Sequence, residues 1–320
     1  MTESITKQTI VPREYHGQRL DVVLAQLFPD FSRSQLSSWL KEGAITLNKG
    51  QGKPKDKVLG GEEIEMNVNF SKLNTNYDSN LPEAIPLDIV YEDEQVLVIN
   101  KPAGLVVHPG AGNREHTLVN ALLYHNSAMQ HLPRAGIIHR LDKETTGLLV
   151  CAKTLPAHTS LIRQLQAREI QRNYLSLVQG HLISGGKIET FYGRHPRNRL
   201  KMAVCTQGRE AITIYTLRKQ YHDFTLLDVQ LMTGRTHQIR VHMAHINHPV
   251  VGDPLYGGRV RFPAQATEEL RELFRHFSRQ ALHASRLAFK QPATGELLSF
   301  EASLPDDFKS LLIALDEHIA

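Results

Sequence analysis

Along the first seventy residues the apolar positions switch from a helical to a strand period. Leu20, Val23, Leu24, Leu27 and Phe28 fall on one helical face, which predicts a helix over residues 20–28. Ser32 is placed to cap a second helix through Trp39 and Leu40, and Gly43 to end it. Residues 44–48 read as a strand, and Gly60-Gly61 as the turn of a hairpin between residues 57–59 and 62–68. These elements make an ααβ-type unit of about sixty residues, small for an independent domain.

Residues 70–86 break the pattern with three Asn, two Ser and two Pro, and read as a linker. Beyond them strand periods dominate. Residues 88–91 and 96–100 flank the acidic turn Glu92-Asp93-Glu94, and residues 147–152, 174–178, 211–217 and 224–231 are further strands. Helical stretches at 117–125 and 156–168 intervene without a βαβα rhythm. The fold class expected is therefore α+β, with a mixed, mainly antiparallel sheet and flanking helices. The chain divides into a small domain at 17–69, a linker at 70–86 and a large domain at 87–320.

Composition narrows the picture little: 41% apolar and 22% charged residues over 320 positions are ordinary for a globular protein with a full core. Cys151 and Cys205 lie far apart, which indicates neither a disulfide framework nor a Cys-rich zinc site. Residues 1–9 are polar, and no apolar run approaches the roughly 18 residues of a membrane helix, so a soluble cytoplasmic protein without a membrane partner is expected.

Charge is more informative in its distribution than in its net value of +4. Arg194, Arg197, Arg199, Lys201, Arg209, Arg218 and Lys219 stand against the single acid Glu210 between residues 191 and 220. A second basic stretch, with Lys49, Lys53, Lys55 and Lys57, lies in the small domain, preceded by Arg19 and Arg33. Clustered cations in two domains are the footprint of phosphate-backbone binding.

Several familiar chemistries fail on inspection. Gly110-Ala111-Gly112-Asn113-Arg114-Glu115 has Glu where the third glycine of a dinucleotide fingerprint belongs, and no phosphate loop or G-x-S-x-G elbow is present. Histidines 237, 242, 245 and 248 lack an H-E-x-x-H pattern, so they read as helix-face and hydrogen-bonding residues. What remains is Asp142, in a polar loop between the apolar run 136–138, read as a strand, and a second strand after Gly147. Spacing alone leaves it an ordinary turn aspartate.

His139-Arg140-Leu141-Asp142-Lys143-Glu144-Thr145-Thr146-Gly147 resembles the HRLDxxTSG signature of the RluA family of pseudouridine synthases, with Thr146 in place of the usual Ser. Residues 100–109 (NKPAGLVVHP) are similar to that family's first motif, Arg172-Asn173-Tyr174 to the segment carrying its tyrosine, and residues 233–242 (TGRTHQIRVH) to its last motif. The four motifs come in order and cover about residues 85 to 320. Gly17-Gln18-Arg19-Leu20-Asp21 and Phe31-Ser32-Arg33-Ser34 resemble the small RNA-binding domain named for ribosomal protein S4. Residues 107–113 and 251–258 are similar to a subgroup that modifies uridines in the helix 69 loop of 23S rRNA.

The resemblance implies an isomerase that needs no cofactor and no metal, a 23S rRNA partner, free or within the large subunit or its precursor, and a monomer. It makes Asp142 the catalytic carboxylate, attacking the anomeric carbon or removing the 2′ proton. A carboxylate enclosed with an extruded base needs a cation beside it, and the resemblance implies that the fork of Arg240 binds it. It further implies that Tyr174 stacks on the uracil, Ile239 packs under it and Arg140 takes its vacated place, with Lys101 and His139 as further substrate contacts. Other rRNA or tRNA uridines, or a non-catalytic RNA-binding assembly factor, are the alternatives; the presence of Asp142, Tyr174 and Arg240 argues against the last.

Overall fold

The computed structural model describes residues 4–319 apart from 29, 30, 32, 70–80, 110–112, 114, 199 and 260, so Ser32 as a cap and most of the expected linker lie outside the described residues. The small unit contains β1 (Ser4–Ile10), α1 (Leu20–Leu27), α2 (Arg33–Lys41), β2 (Ile45–Leu47) and β3 (Glu63–Asn69), its strands ordered β1-β3-β2. Leu20, Leu24, Leu36 and Leu40 are fully buried with Ile45, Ile64 and Met66, which is why the helical period was legible. As expected, α2 ends at Gly43, whose N–H reaches the Leu40 carbonyl. The expected hairpin is absent. β3 instead pairs with β1, through Ile10 and Glu63, and with β2, through Ile45 and Met66, while Lys57 makes only one bridge, to Arg19.

The larger sheet has ten strands: β4 (Ile89–Glu92), β5 (Val96–Lys101), β6 (Thr146–Ala152), β7 (Gln171–Gln179), β8 (Gly186–Arg194), β9 (Met202–Cys205), β10 (Arg209–Gln220), β11 (Phe224–Leu231), β12 (Leu282–Lys290) and β13 (Leu297–Glu301). Helices α3 (Leu118–His125), α4 (Leu155–Gln166), α5 (Gln238–His245), α6 (Glu268–His276) and α7 (Asp306–Ile319) accompany it. The order is β4-β5-β6-β12-β7-β11-β10-β8-β9, with β13 beside β12. β12 runs parallel to β6 and the other pairings are antiparallel, so the fold is the α+β arrangement expected. β6 is buried along its whole length, and Val96 to Ile99 of β5 likewise, giving the unbroken apolar runs of strands covered on both faces. No described helix is long and apolar enough to cross a membrane.

Two local readings change. Leu81 and Glu83, at the end of the expected linker, are tied to the start of α3: Asn120 Nδ2 donates to the Leu81 carbonyl and Glu83 N–H to that of Asn120. Residues 136–138 are not a strand; Pro133–Gly136 is a 3-10 turn and Ile137 makes a single bridge to Cys151.

His242 on α5 holds this helix to the sheet, with Nδ1 bonded to Thr213 Oγ1 at 2.8 Å and Nε2 to Thr190 Oγ1 at 3.1 Å. Burial, and after it His245, pull its pKa from 6.5 down to about 4. The unfolded chain therefore binds the extra proton first, and stability present above pH 6.5 is lost as pH falls toward 4, by roughly 3 kcal/mol from this ring alone. Urea unfolding at several pH values should show that His242→Gln flattens this slope; an unchanged slope would contradict the assignment.

Candidate active site

The loop from Asp142 to Thr146 joins the site to the sheet and is held from every side. The Lys143 carbonyl accepts from Gly104 N–H at 3.0 Å and from Lys101 Nζ at 2.9 Å, and Thr145 Oγ1 accepts from Gln280 Nε2 at 3.0 Å. His283 Nε2 faces the Ala302 carbonyl and so donates to it, leaving Nδ1 to accept from Thr146 Oγ1 at 2.8 Å. A hydroxyl is what this position requires. Gly147 closes the loop with φ 109, and a Cβ there would lie 2.3 Å from the Ala284 carbonyl oxygen of β12.

Asp142 points at the first turn of α5. Arg240 Nη1 donates to Asp142 Oδ2 at 3.0 Å, and Oδ1 lies 3.9 Å from His237 Nε2, beyond hydrogen-bond range. The fork of Arg240 is occupied elsewhere: Nε and Nη2 donate to Asp253 Oδ2 and Oδ1 at 2.7 and 2.8 Å. Asp253 Oδ1 also accepts from the N–H groups of Leu255 and Tyr256. The expectation that the fork grips Asp142 is thus corrected. Asp142 receives one bond from a guanidinium oriented by a fully buried carboxylate. Burial alone would lower the Arg240 pKa, but the bonds it donates to Asp253 and the charge of Asp142 outweigh it, so Arg240 stays cationic.

His237 sits in the left-handed region at φ 58, between Asp142 and Tyr256. The Tyr256 hydroxyl accepts from Met202 N–H at 2.8 Å and lies 2.9 Å from His237 Nδ1, so it can donate its own proton to that nitrogen in the tautomer that carries Nε2–H on the side of Asp142. Burial lowers the pKa of His237 despite the pull of Asp142, keeping the ring neutral. Gln238 fixes the preceding loop: its side chain accepts from Thr233 Oγ1 and Arg235 N–H and donates to the Ile212 carbonyl and Thr213. Tyr174 and Ile239 are buried, line the hollow beside Asp142, and flank it from β7 and α5. Above them opens a cavity of about 780 Å³ whose wall includes Asp142, Tyr174, Arg140, Arg172, Arg235 and His108.

Residues 95–245 match the family model described as RNA pseudouridylate synthase, and residues 18–64 match the S4 domain. The chain is 50% identical over 318 residues to the protein of Xanthomonas campestris pv. campestris named ribosomal large subunit pseudouridine synthase D, covering 99% of this chain and 95% of that one. The chain belongs to the pseudouridine synthase family. A protein of the same name from Haemophilus influenzae is 51% identical over 312 residues, covering 97% of the synthase described here and 95% of its own length. Among solved structures, human RNA pseudouridylate synthase domain containing 4 aligns with a TM-score of 0.55 at 26% identity, over 71% of this synthase and 92% of that chain.

The structure brings Asp142, Tyr174, Ile239, Arg240 and Arg140 to one hollow, with Arg140 exposed at its mouth. Lys101 is elsewhere. It is buried, its Nζ donates to the carbonyls of Pro102, Leu105 and Lys143, and burial, against Glu144 and Asp142, draws its pKa down to about 7. It braces the Asp142 loop and is not among the residues that line the cavity or the hollow beside Asp142. His139 lines the cavity with its ring enclosed; Nε2 accepts from Val150 N–H at 3.4 Å, and burial followed by Arg172 lowers its pKa to about 3.

The expected RNA-binding cations divide. Arg19 and Arg33 both pair with Asp21, whose pKa is lowered chiefly by the hydrogen bond from Arg19, so they act first as a local brace. Lys53, Lys55 and Lys57 are exposed. Arg194 and Arg197 are exposed near the end of β8, Lys201 lies 5.7 Å from the Tyr256 ring beside the site, and Arg199 falls outside the described residues. Arg218 and Lys219 pair with Asp228 and Asp316 at the far end of β10. Asp253, His237 and Tyr256 were missed as site residues, although Asp253 and Tyr256 lie within the segment 251–258 already singled out.

Proposed function

We propose that this synthase isomerises uridines of large-subunit ribosomal RNA with Asp142 as its catalytic carboxylate, and that its target is the helix 69 loop of 23S rRNA. The observation that carries the reading is the chain of contacts from Asp142 through Arg240 to buried Asp253, which sets one carboxylate oxygen pair at a fixed place beside an aromatic-lined hollow. The relatives named above are called synthases of the large ribosomal subunit, which supports the RNA class.

In this reading an extruded uridine enters the cavity with its base between Tyr174 and Ile239, and Arg140 fills the vacated stack. Asp142 meets the ribose, at C1′ or at the 2′ proton, while Arg240 supports its charge. Release of tritium from C5-labelled uridine in large-subunit rRNA tests the activity: the purified protein releases it, and no release from any rRNA preparation would overturn the reading.

The S4 domain is assigned to RNA grip through Lys53, Lys55 and Lys57. Removing residues 1–70 should spare the rate at saturating RNA but weaken affinity, and should flatten log affinity against log salt by about 0.7 to 0.9 for each lost phosphate contact. Unchanged affinity and slope in titrations at several salt concentrations would make the domain a protein-docking module instead.

A further inference from the structure

Arg172 is a cation the mechanism above does not use. It is 5% exposed and lines the cavity, yet among the described residues it has no carboxylate partner. Its Nε is buried without a hydrogen bond, and Nη2 reaches only the Leu231 carbonyl, at 3.4 Å. Burial lowers its pKa, with Tyr174 the one group that opposes this. An uncompensated buried guanidinium costs stability, so its presence in the cavity wall points to a negatively charged occupant.

Position says which charge. Arg172 and Tyr174 are two apart on β7, so their side chains share one face of the sheet, and both line the cavity that holds Asp142. On the other side the guanidinium meets Gly234, where a Cβ would lie 2.6 Å from Nη1. The absence of a side chain there leaves the group its space. Backbone phosphates travel over the surface, where the exposed lysines can meet them; a residue this deep meets the extruded base.

We propose that Arg172 stabilises the uracil anion formed when the glycosidic bond breaks. Heterolysis of C1′–N1 sends the bond pair to N1, and the negative charge spreads over N1, O2 and O4. The ribose is completed either by a bond from the Asp142 carboxylate to C1′ or by transfer of the 2′ proton to Asp142. C5 then bonds C1′, returning Asp142 to its starting state, and the proton lost from C5 balances the one gained at N1. No oxidant or co-reactant is needed. A donor aimed at charge that exists only after bond breaking lowers the barrier without tightening substrate binding.

This rests on the uridine chemistry proposed for Asp142, and the test separates the two. Wild-type protein, Arg172→Met and Arg172→Lys are compared in single turnover at saturating rRNA, with uridine and with 5-fluorouridine, whose base is the better leaving group; because C5 of the fluorinated base has no proton to lose, loss of the N-glycoside is the readout for both. Arg172→Met should react about 10² to 10³-fold more slowly on uridine with unchanged RNA affinity, and the deficit should shrink on 5-fluorouridine. Arg172→Lys, which keeps the charge without the fork, should fall between. Without RNA, Arg172→Met should melt higher than wild type, the opposite of losing a structural residue. An equal deficit on both substrates, weakened affinity with an unchanged saturated rate, or a lowered melting temperature would overturn the assignment. An inert wild-type protein would remove the uridine reading itself.

Discussion

The Asp142→Asn variant is expected to lose at least about 10⁴-fold in single-turnover rate while keeping its melting temperature and RNA affinity. Asn matches the shape of Asp and still accepts a hydrogen bond from Arg240 Nη1, but it supplies no charge to C1′ or to the 2′ proton. The side chain is only partly buried and makes one ion pair, while the loop around it is held by hydrogen bonds of Lys101, Gln280 and His283 to the Lys143 carbonyl and the Thr145 and Thr146 hydroxyls, none of them made to the carboxylate. Fold and activity should therefore separate. Rate, melting curve and RNA titration on one preparation, with mass spectrometry to exclude reversion to Asp, check this; a rate within tenfold of wild type would remove Asp142 from the chemistry.

Asp253→Asn should fail on both counts. Asp253 is fully enclosed and takes four hydrogen bonds, two from the Arg240 fork and two from the N–H groups of Leu255 and Tyr256. An amide keeps the backbone contacts through its oxygen but turns an N–H₂ group toward Arg240 Nε. The guanidinium is then buried with only Asp142 as a counter-charge, at a cost of about 3 to 5 kcal/mol. Its orientation toward Asp142 loosens as well, so the rate should fall about 10²-fold even where the variant is folded. Arg240→Lys should match it in rate, since one ammonium cannot serve Asp253 twice and Asp142 once. Chemical denaturation and saturating-RNA kinetics distinguish this from a surface ion pair, which would leave both values near wild type.

Local signals read well where a segment's partners are decided by its own pattern. The helical face from Leu20 to Leu27 and the apolar runs of β5 and β6 belong to this kind, as does the loop closed by Gly147. Pairing between distant segments does not. Gly60-Gly61 is compatible with a hairpin, but β3 lies between β2 and β1, and the sequence of β1, SITKQTI, is polar and weakly patterned. The basic run 194–219 misleads for a similar reason: residues 209 and 219 lie at opposite ends of β10, about 30 Å apart at 3.3 Å per residue, and the far pair is neutralised.

At the site, the motifs bring the right residues together but hide how they are wired. Asp253 comes thirteen residues after Arg240, beyond the end of α5, and nothing in the spacing says that the Arg240 fork faces Asp253 rather than Asp142. Lys101 shows the limit from the other side. A lysine beside a motif reads as a substrate contact, and only burial and three carbonyl partners reveal a brace. Arg172 could have been noticed from its place two residues before Tyr174, on the same strand face.

The central claim, that Asp142 makes pseudouridine in large-subunit ribosomal RNA, is tested most directly by mapping pseudouridines in 23S rRNA from cells that lack this gene and carry either the wild-type or the Asp142→Asn form. The account predicts that pseudouridines in the helix 69 loop vanish in the deletion, return with the wild-type gene and stay absent with Asp142→Asn. Their persistence in the deletion strain, or their restoration by Asp142→Asn, would contradict it.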